Sequence, residues 1–204
     1  RVKGMEAGAF DFNEISVSAA GDFNNDGKDD LLIGASGSTV TGMTDAGTAY
    51  LIFGKNTFAA SLDVSSLNGT NGFAIPGLAD GDILGFATAG NADLNHDGVD
   101  DIVVTALGHT IIGRVDAGVC YVLYGNSGPF SATFDLTTLN GTNGSTIKGQ
   151  ENDAYTGFAV DVSQDANNDG KNDILIGAAG KAFFGGTNFS CLLYTSPSPR
   201  DEQS

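Results

Sequence analysis

"GDFNNDGKDDLLIGASG", residues 21–37, sets a cluster of Asp and Asn side chains directly against an apolar run. Carboxylates crowded in this way repel one another, and a cation among the oxygens removes that repulsion. The arrangement returns as "NADLNHDGVDDIVVTALG" at residues 91–108 and "SQDANNDGKNDILIGAAG" at residues 163–180. All three copies fit D-x-N-x-D-G-x-x-D, with first aspartates Asp22, Asp93 and Asp165, spaced 71 and 72 residues apart. A single copy could arise by chance in an acidic chain; three in register mark a repeat.

The repeat extends beyond the acidic loop. "DAGTAYLIFGK" from Asp45 matches "DAGVCYVLYGN" from Asp116, and "LNGTNGFAIPG" from Leu67 matches "LNGTNGSTIKG" from Leu139. Each copy divides into short β-branched and aromatic runs bounded by Gly, Asn and Asp, which predicts strands. The first strand follows the Gly-Phe of Gly85-Phe86 or Gly157-Phe158, and the second is "DLLIGA", "DIVVTA" or "DILIGA". The third is "GTAYLIF" or "GVCYVLY", and the fourth is expected at "SLDVSSL" or "TFDLTTL", before the "NGTNG" turn. Four antiparallel strands per repeat predict an all-β chain of propeller blades. The unbroken second strand should line the faces between blades. The small residues after it, Gly34-Ala35 and Gly177-Ala178, should permit close backbone approach.

Oxygen-rich loops without nitrogen or sulfur ligands suit a hard cation. The expected ligands are Asp22, Asn24, Asp26, the Lys28 carbonyl and Asp30 in the first loop, and Asp93, Asn95, Asp97, the Val99 carbonyl and Asp101 in the second. The third set is Asp165, Asn167, Asp169, the Lys171 carbonyl and Asp173. Several carboxylates among five or more oxygens favour Ca²⁺ over Mg²⁺, so about three Ca²⁺ ions are expected per chain. An EF-hand does not fit: its twelfth position needs Glu, and Ile33, Val104 and Ile176 stand there. The alternative is a set of plain Asx-rich turns that need no metal.

These loops and their flanks resemble the FG-GAP repeats of integrin α-subunit β-propellers. The Phe-Gly element survives as Gly85-Phe86 and Gly157-Phe158, with Glu14-Ile15 in its place in the first copy. The Gly-Ala-Pro element survives as Gly34–Ser36, Thr105–Leu107 and Gly177–Ala179, always without the Pro. The resemblance implies calcium-binding blades of a seven-bladed propeller. About two complete blades and part of a third are expected: residues 1–66, 67–138 and 139–190. The remaining blades would then lie outside this chain. Residues 191–204, "CLLYTSPSPRDEQS", break the repeat pattern and look like translated adapter or vector sequence, a tail outside the fold. The start at Arg1, without Met or a leader, predicts a piece of a longer protein.

Composition narrows the function. The 204 residues carry 25 Asp and Glu against 9 Lys and Arg, a net charge of -16 that disfavours nucleic acid. No apolar run approaches a membrane span. Cys120 stands where the first copy has Ala49 and reads as a small buried hydrophobe, and no disulfide framework or zinc spacing is visible. His96 and His109 read as turn residues, and no nucleophile–base pair can be assembled. Asn68, Asn140, Asn143 and Asn188 head N-x-[ST] sequons, three of them in or beside turns that need Asn for backbone reasons. The expectation is a non-catalytic, calcium-binding propeller segment at the cell surface or outside the cell. It would bind an unidentified protein or cell-surface ligand in adhesion. The alternative is an accessory propeller of a secreted, phospholipase D-like hydrolase.

Overall fold

The computed structural model describes residues 2–3, 15–163, 165, 168, 170–180 and 190–194. The short β1 (Val2–Lys3) precedes a four-stranded antiparallel sheet of β2 (Ile15–Gly21), β3 (Asp30–Ala35), β4 (Thr48–Ile52) and β6 (Gly72–Pro76). Between β4 and β6, β5 (Leu62–Asp63) leaves the sheet and pairs in parallel with β1. The second sheet repeats the plan with β7 (Leu84–Ala92), β8 (Asp101–Ala106), β9 (Val119–Leu123) and β10 (Gly144–Lys148). The third places β11 (Thr156–Ser163), β12 (Asp173–Ala178) and β13 (Ser190–Tyr194) side by side. These are propeller blades, as the repeat predicts.

The fourth strand lies later than the sequence reading puts it. "SLDVSSL" and "TFDLTTL" contain Asp63 and Asp135, whose carboxylates accept the backbone amides of Ser65 and Thr137 and cap single 3-10 turns, Val64–Ser66 and Leu136–Thr138. This local capping wins over the apolar alternation. The strand begins only at the last glycine of "NGTNG", a turn in which Asn71 Oδ1 accepts the Asn68 amide and Asn143 Oδ1 the Asn140 amide, both at 3.0 Å. The sheets therefore run over residues 15–76 and 84–148, and the expected boundaries at 66/67 and 138/139 fall inside them.

The tail also differs from expectation. Residues 190–194 pair with β12, Ala178 opposite Ser190 and Ile174 opposite Tyr194. The equivalent pairs in the second sheet are Ala106 with Val119 and Ile102 with Leu123. "SCLLY" is apolar enough to fill the third-strand slot at the repeat's own spacing, whatever its origin. The rest of the expected tail, residues 195–204, lies outside the described residues.

The second strand of each sheet sends alternate side chains to opposite neighbours. Leu32 of β3 meets Ile102 and Val104 of β8 in a core that also holds Phe23, Leu51, Phe73 and Leu123. Val103 of β8 turns the other way, onto Ile174 and Ile176 of β12. At Gly34 the first two sheets come into close contact: a Cβ there would collide with the Gly85 carbonyl oxygen and the Ser16 hydroxyl. The expected role of small residues after this strand is thus seen at Gly34. Phe86 and Phe158, from the Gly-Phe elements, touch each other with ring centroids 5.5 Å apart.

A connector reinforces the first pair of sheets. Ala74 of β6 donates its amide to the Ala132 carbonyl at 3.0 Å, and its own carbonyl accepts the Phe134 amide at 2.8 Å. Ala74 thereby forms a parallel bridge with Thr133. The parallel pairing of Val2 with Leu62 repeats this relation one blade earlier.

Candidate metal loops

The acidic loops join the first and second strands of each sheet at one end of the molecule. Two left-handed positions recur in all three loops. The fourth position takes the left-handed conformation at Asn25 (φ 56), His96 (φ 64) and Asn168 (φ 57), and the sixth at Gly27, Gly98 and Gly170 (φ 84, 87 and 87). Asn and His are among the few non-glycine residues that tolerate this region, which accounts for His96 as a turn residue.

The first aspartate organises each loop. Asp22 Oδ1 and Oδ2 accept the amides of Asp26 and Gly27, both at 2.8 Å. Asp93 does the same for Asp97 (3.1 Å) and Gly98 (2.9 Å), and Asp165 accepts the Gly170 amide at 2.6 Å. Asn24 and Asn95 accept the Asp26 and Asp97 amides through Oδ1. The Asp26 carboxylate also receives the Lys28 ammonium at 3.2 Å, and Asp97 receives the Val99 amide at 2.9 Å. Asn167 and Asp169 lie outside the described residues, whereas Lys171 and Asp173 lie within them, Asp173 fully buried.

The closing aspartates sit deepest. Asp30 is 4% exposed and Asp101 is 0% exposed. Asp101 Oδ2 accepts the Leu94 and Asn95 amides at 2.8 and 3.2 Å, and its Oδ1 accepts the Gly125 amide at 2.8 Å. Asp30 Oδ1 likewise accepts the Gly54 amide at 2.7 Å, but Asp30 Oδ2 is buried and, among the described residues, no donor reaches it in hydrogen-bond geometry, the Asn24 amide acting on the carboxyl only weakly. Burial pushes the Asp30 carboxyl up to about 6 against the pull of the Gly54 and Asn24 amides, and the charges of Asp26 and Asp22 push it further. Burial likewise raises Asp101 to about 7 against three amides, with Asp97 adding repulsion.

Among the described residues, no three acidic or imidazole side chains already stand together as a metal shell. The loops instead draw in on their own amides. The residues nonetheless fit a hard cation. The donor set is all oxygen, a carboxylate oxygen bound to one amide keeps a lone pair, and Asp30 Oδ2 is a buried acceptor that feels the charges of Asp26 and Asp22.

Two features escaped the sequence reading. His109 is not simply a turn residue: its Nδ1 lies 2.9 Å from Asp82 Oδ1, and Asp82, 2% exposed, also accepts the Leu78 and Ala79 amides. The other is Asp100, the eighth residue of the second loop, whose Oδ2 accepts the Asp22 amide of the first loop at 2.9 Å. An acidic or amide residue stands at that position in all three copies, as Asp29, Asp100 and Asn172, and this was the signal available. Cys120 agrees with its reading: it is fully buried, and burial pushes its thiol up to about 12.

The family model for the FG-GAP repeat matches residues 15–52 and 86–123, each running from the first strand through the acidic loop to the third. The chain is also similar to phosphatidylinositol-glycan-specific phospholipase D from three organisms. The rat protein is 29% identical over 161 residues, 78% of this chain and 18% of the relative. The bovine protein is 28% identical over 181 residues, 83% of this chain and 20% of the relative. The Dictyostelium discoideum protein is 30% identical over 168 residues, 77% of this chain and 17% of the relative. The chain thus spans no more than about a fifth of these relatives.

Proposed function

This chain is a run of FG-GAP repeats folded as propeller blades, and from that premise we propose that it is a calcium-stabilised, non-catalytic binding segment acting outside the cell. The observation that carries the calcium reading is the buried Oδ2 of Asp30, without a donor among the described residues, within an all-oxygen loop that occurs three times. Bound calcium supplies the positive charge that offsets repulsion among the acidic ligands. The protein's part is to hold those ligands. Asp22 and Asp93 fold their loops by accepting two amides each, the glycine at position six allows the reversal, and the strand behind anchors the closing aspartate.

Extracellular calcium modules bind at about 10⁻⁴ to 10⁻³ M. At a free concentration about ten times Kd, each site adds roughly 1.4 kcal/mol by mass action, so three sites add about 4 kcal/mol. The test is thermal unfolding of the full chain with calcium and with chelator. Calcium should raise the midpoint clearly, and Asp97→Ala should remove about a third of that rise or more. Equal midpoints in the two conditions would overturn the calcium reading.

A second reading, favoured by the relatives, attaches these blades to a secreted hydrolase as an accessory propeller. All three relatives are named as phospholipases D, and the chain aligns to only 17–20% of each. Under this reading the blades bind or orient and the chemistry lies elsewhere. Phosphatidylinositol-glycan hydrolysis assayed on the purified chain should be absent, and measurable turnover would overturn the non-catalytic assignment.

A further inference from the structure

The first two loops are not independent. Asp100 of the second loop accepts the backbone amide of Asp22, the residue around which the first loop folds. The fit is close: Gly21 (φ 63) has no room for a side chain, because a Cβ there would collide with the Asp100 carboxylate. One turn after β9 touches both loops. The Gly125 amide donates to Asp101 Oδ1 of the second loop at 2.8 Å. The next amide, Asn126, donates to the Phe23 carbonyl of the first loop at 3.0 Å, and Asn25 Nδ2 lies 3.3 Å from Ser127 Oγ. A Cβ on Gly125 would collide with the Asp100 carbonyl oxygen and stand 2.7 Å from that of Phe23, so the turn is wedged between the loops. The equivalent turn of the first sheet, at Gly54, meets its own loop at Lys28 and Asp29.

We propose that ion occupancy of the first two loops is coupled through Asp100 and the 125–127 turn, so that filling the second loop raises the affinity of the first. This rests on the calcium reading above. An ion held by Asp93, Asp97 and Asp101 fixes the backbone on either side of Asp100. The fixed carboxylate then holds the Asp22 amide, and with it the orientation of the first loop's leading ligand. Coupling of this kind is reciprocal, so filling the first loop equally favours the second. Asp100 is a positioning residue: it acts on Asp22 through the backbone amide. An Asn side chain also offers an oxygen acceptor, and Asn172 stands at the same position in the third loop.

The test is a calcium titration of the full chain followed by amide NMR, with the Gly27 resonance reporting the first loop and Gly98 the second. In the wild type both resonances should titrate. Asp97→Ala, which cripples the second loop, should shift the Gly27 midpoint about fivefold or more to higher calcium, the lower end of ordinary allosteric coupling. With Asp100→Ala the Gly27 midpoint should be raised already, and adding Asp97→Ala should move it by less than in the wild type, the remainder passing through the 125–127 turn. Asp100→Asn, which keeps the acceptor, should retain most of the coupling and serves where Asp100→Ala does not fold. An unchanged Gly27 midpoint in Asp97→Ala overturns the coupling while leaving the calcium reading intact. If neither glycine titrates in the wild type, both fall together.

Discussion

A methyl group on Gly34 would collide with the Gly85 carbonyl oxygen, while one on Gly177, at the same place in the third repeat, would meet nothing nearer than 3.6 Å among the described residues. Gly34→Ala should therefore destabilise the chain by about 1–3 kcal/mol, the usual cost of overpacking. Gly177→Ala should be neutral or gain up to about 1 kcal/mol by restricting the unfolded chain. Urea denaturation of the two variants checks the contrast. Asp101 carries a different load. Asp101→Ala leaves the Leu94, Asn95 and Gly125 amides without their acceptor and should cost about 3 kcal/mol or more, at roughly 1–3 kcal/mol per unsatisfied group. The loss should persist in chelator, which separates the residue's structural work from any metal. Cys120, buried and with its thiol pushed up to about 12, should resist alkylation at pH 8 in a Cys191→Ser background until the chain unfolds.

At the scale of the element, what was legible in the sequence is what recurs with the right chemistry. The three acidic loops, the second and third strands and the Gly-Phe start of the first could be read because the same residues return every 71 or 72 positions. The fourth strand was misplaced because Leu62 and Val64 alternate as strand residues do, while Asp63 two residues before Ser65 settles the backbone as a turn. The last strand was missed because "SCLLY" keeps only the Cys of "GVCYVLY" in register and lacks the Asp-Ala-Gly lead; a pairing slot beside β12 asks only for an extended apolar run. Within the sites, the ligand types were legible but the Asp22–Asp100 link was not, because it joins residues from two repeats. The pairing of β13 carries its own expectation. Truncation after Gly180 exposes the ladder edge of β12, and the thermal midpoint should fall by several degrees. An unchanged midpoint would show that residues 190–194 contribute no pairing in solution.

For the whole molecule, the alternation along the second strand decides which surfaces are finished. Val103 is fully buried between the second and third sheets, while Leu175, its equivalent in the third, is 39% exposed. On the opposite flank, Val17 and Ile15 of the first sheet are 62% and 47% exposed. Leu175→Asp and Val17→Lys should leave stability within about 0.5 kcal/mol. Val103→Asp should unfold the chain, because it buries an unpaired carboxylate. Circular dichroism melts of the three variants decide this. The connector over residues 131–134 has a mechanical consequence. The second sheet reaches back and fastens itself to Ala74 of the first with two hydrogen bonds. A pull along the chain meets this clip before it can peel one sheet from the other, and both bonds must give way together. Stretched as a single molecule, the two sheets should yield in one tall force peak instead of two small ones.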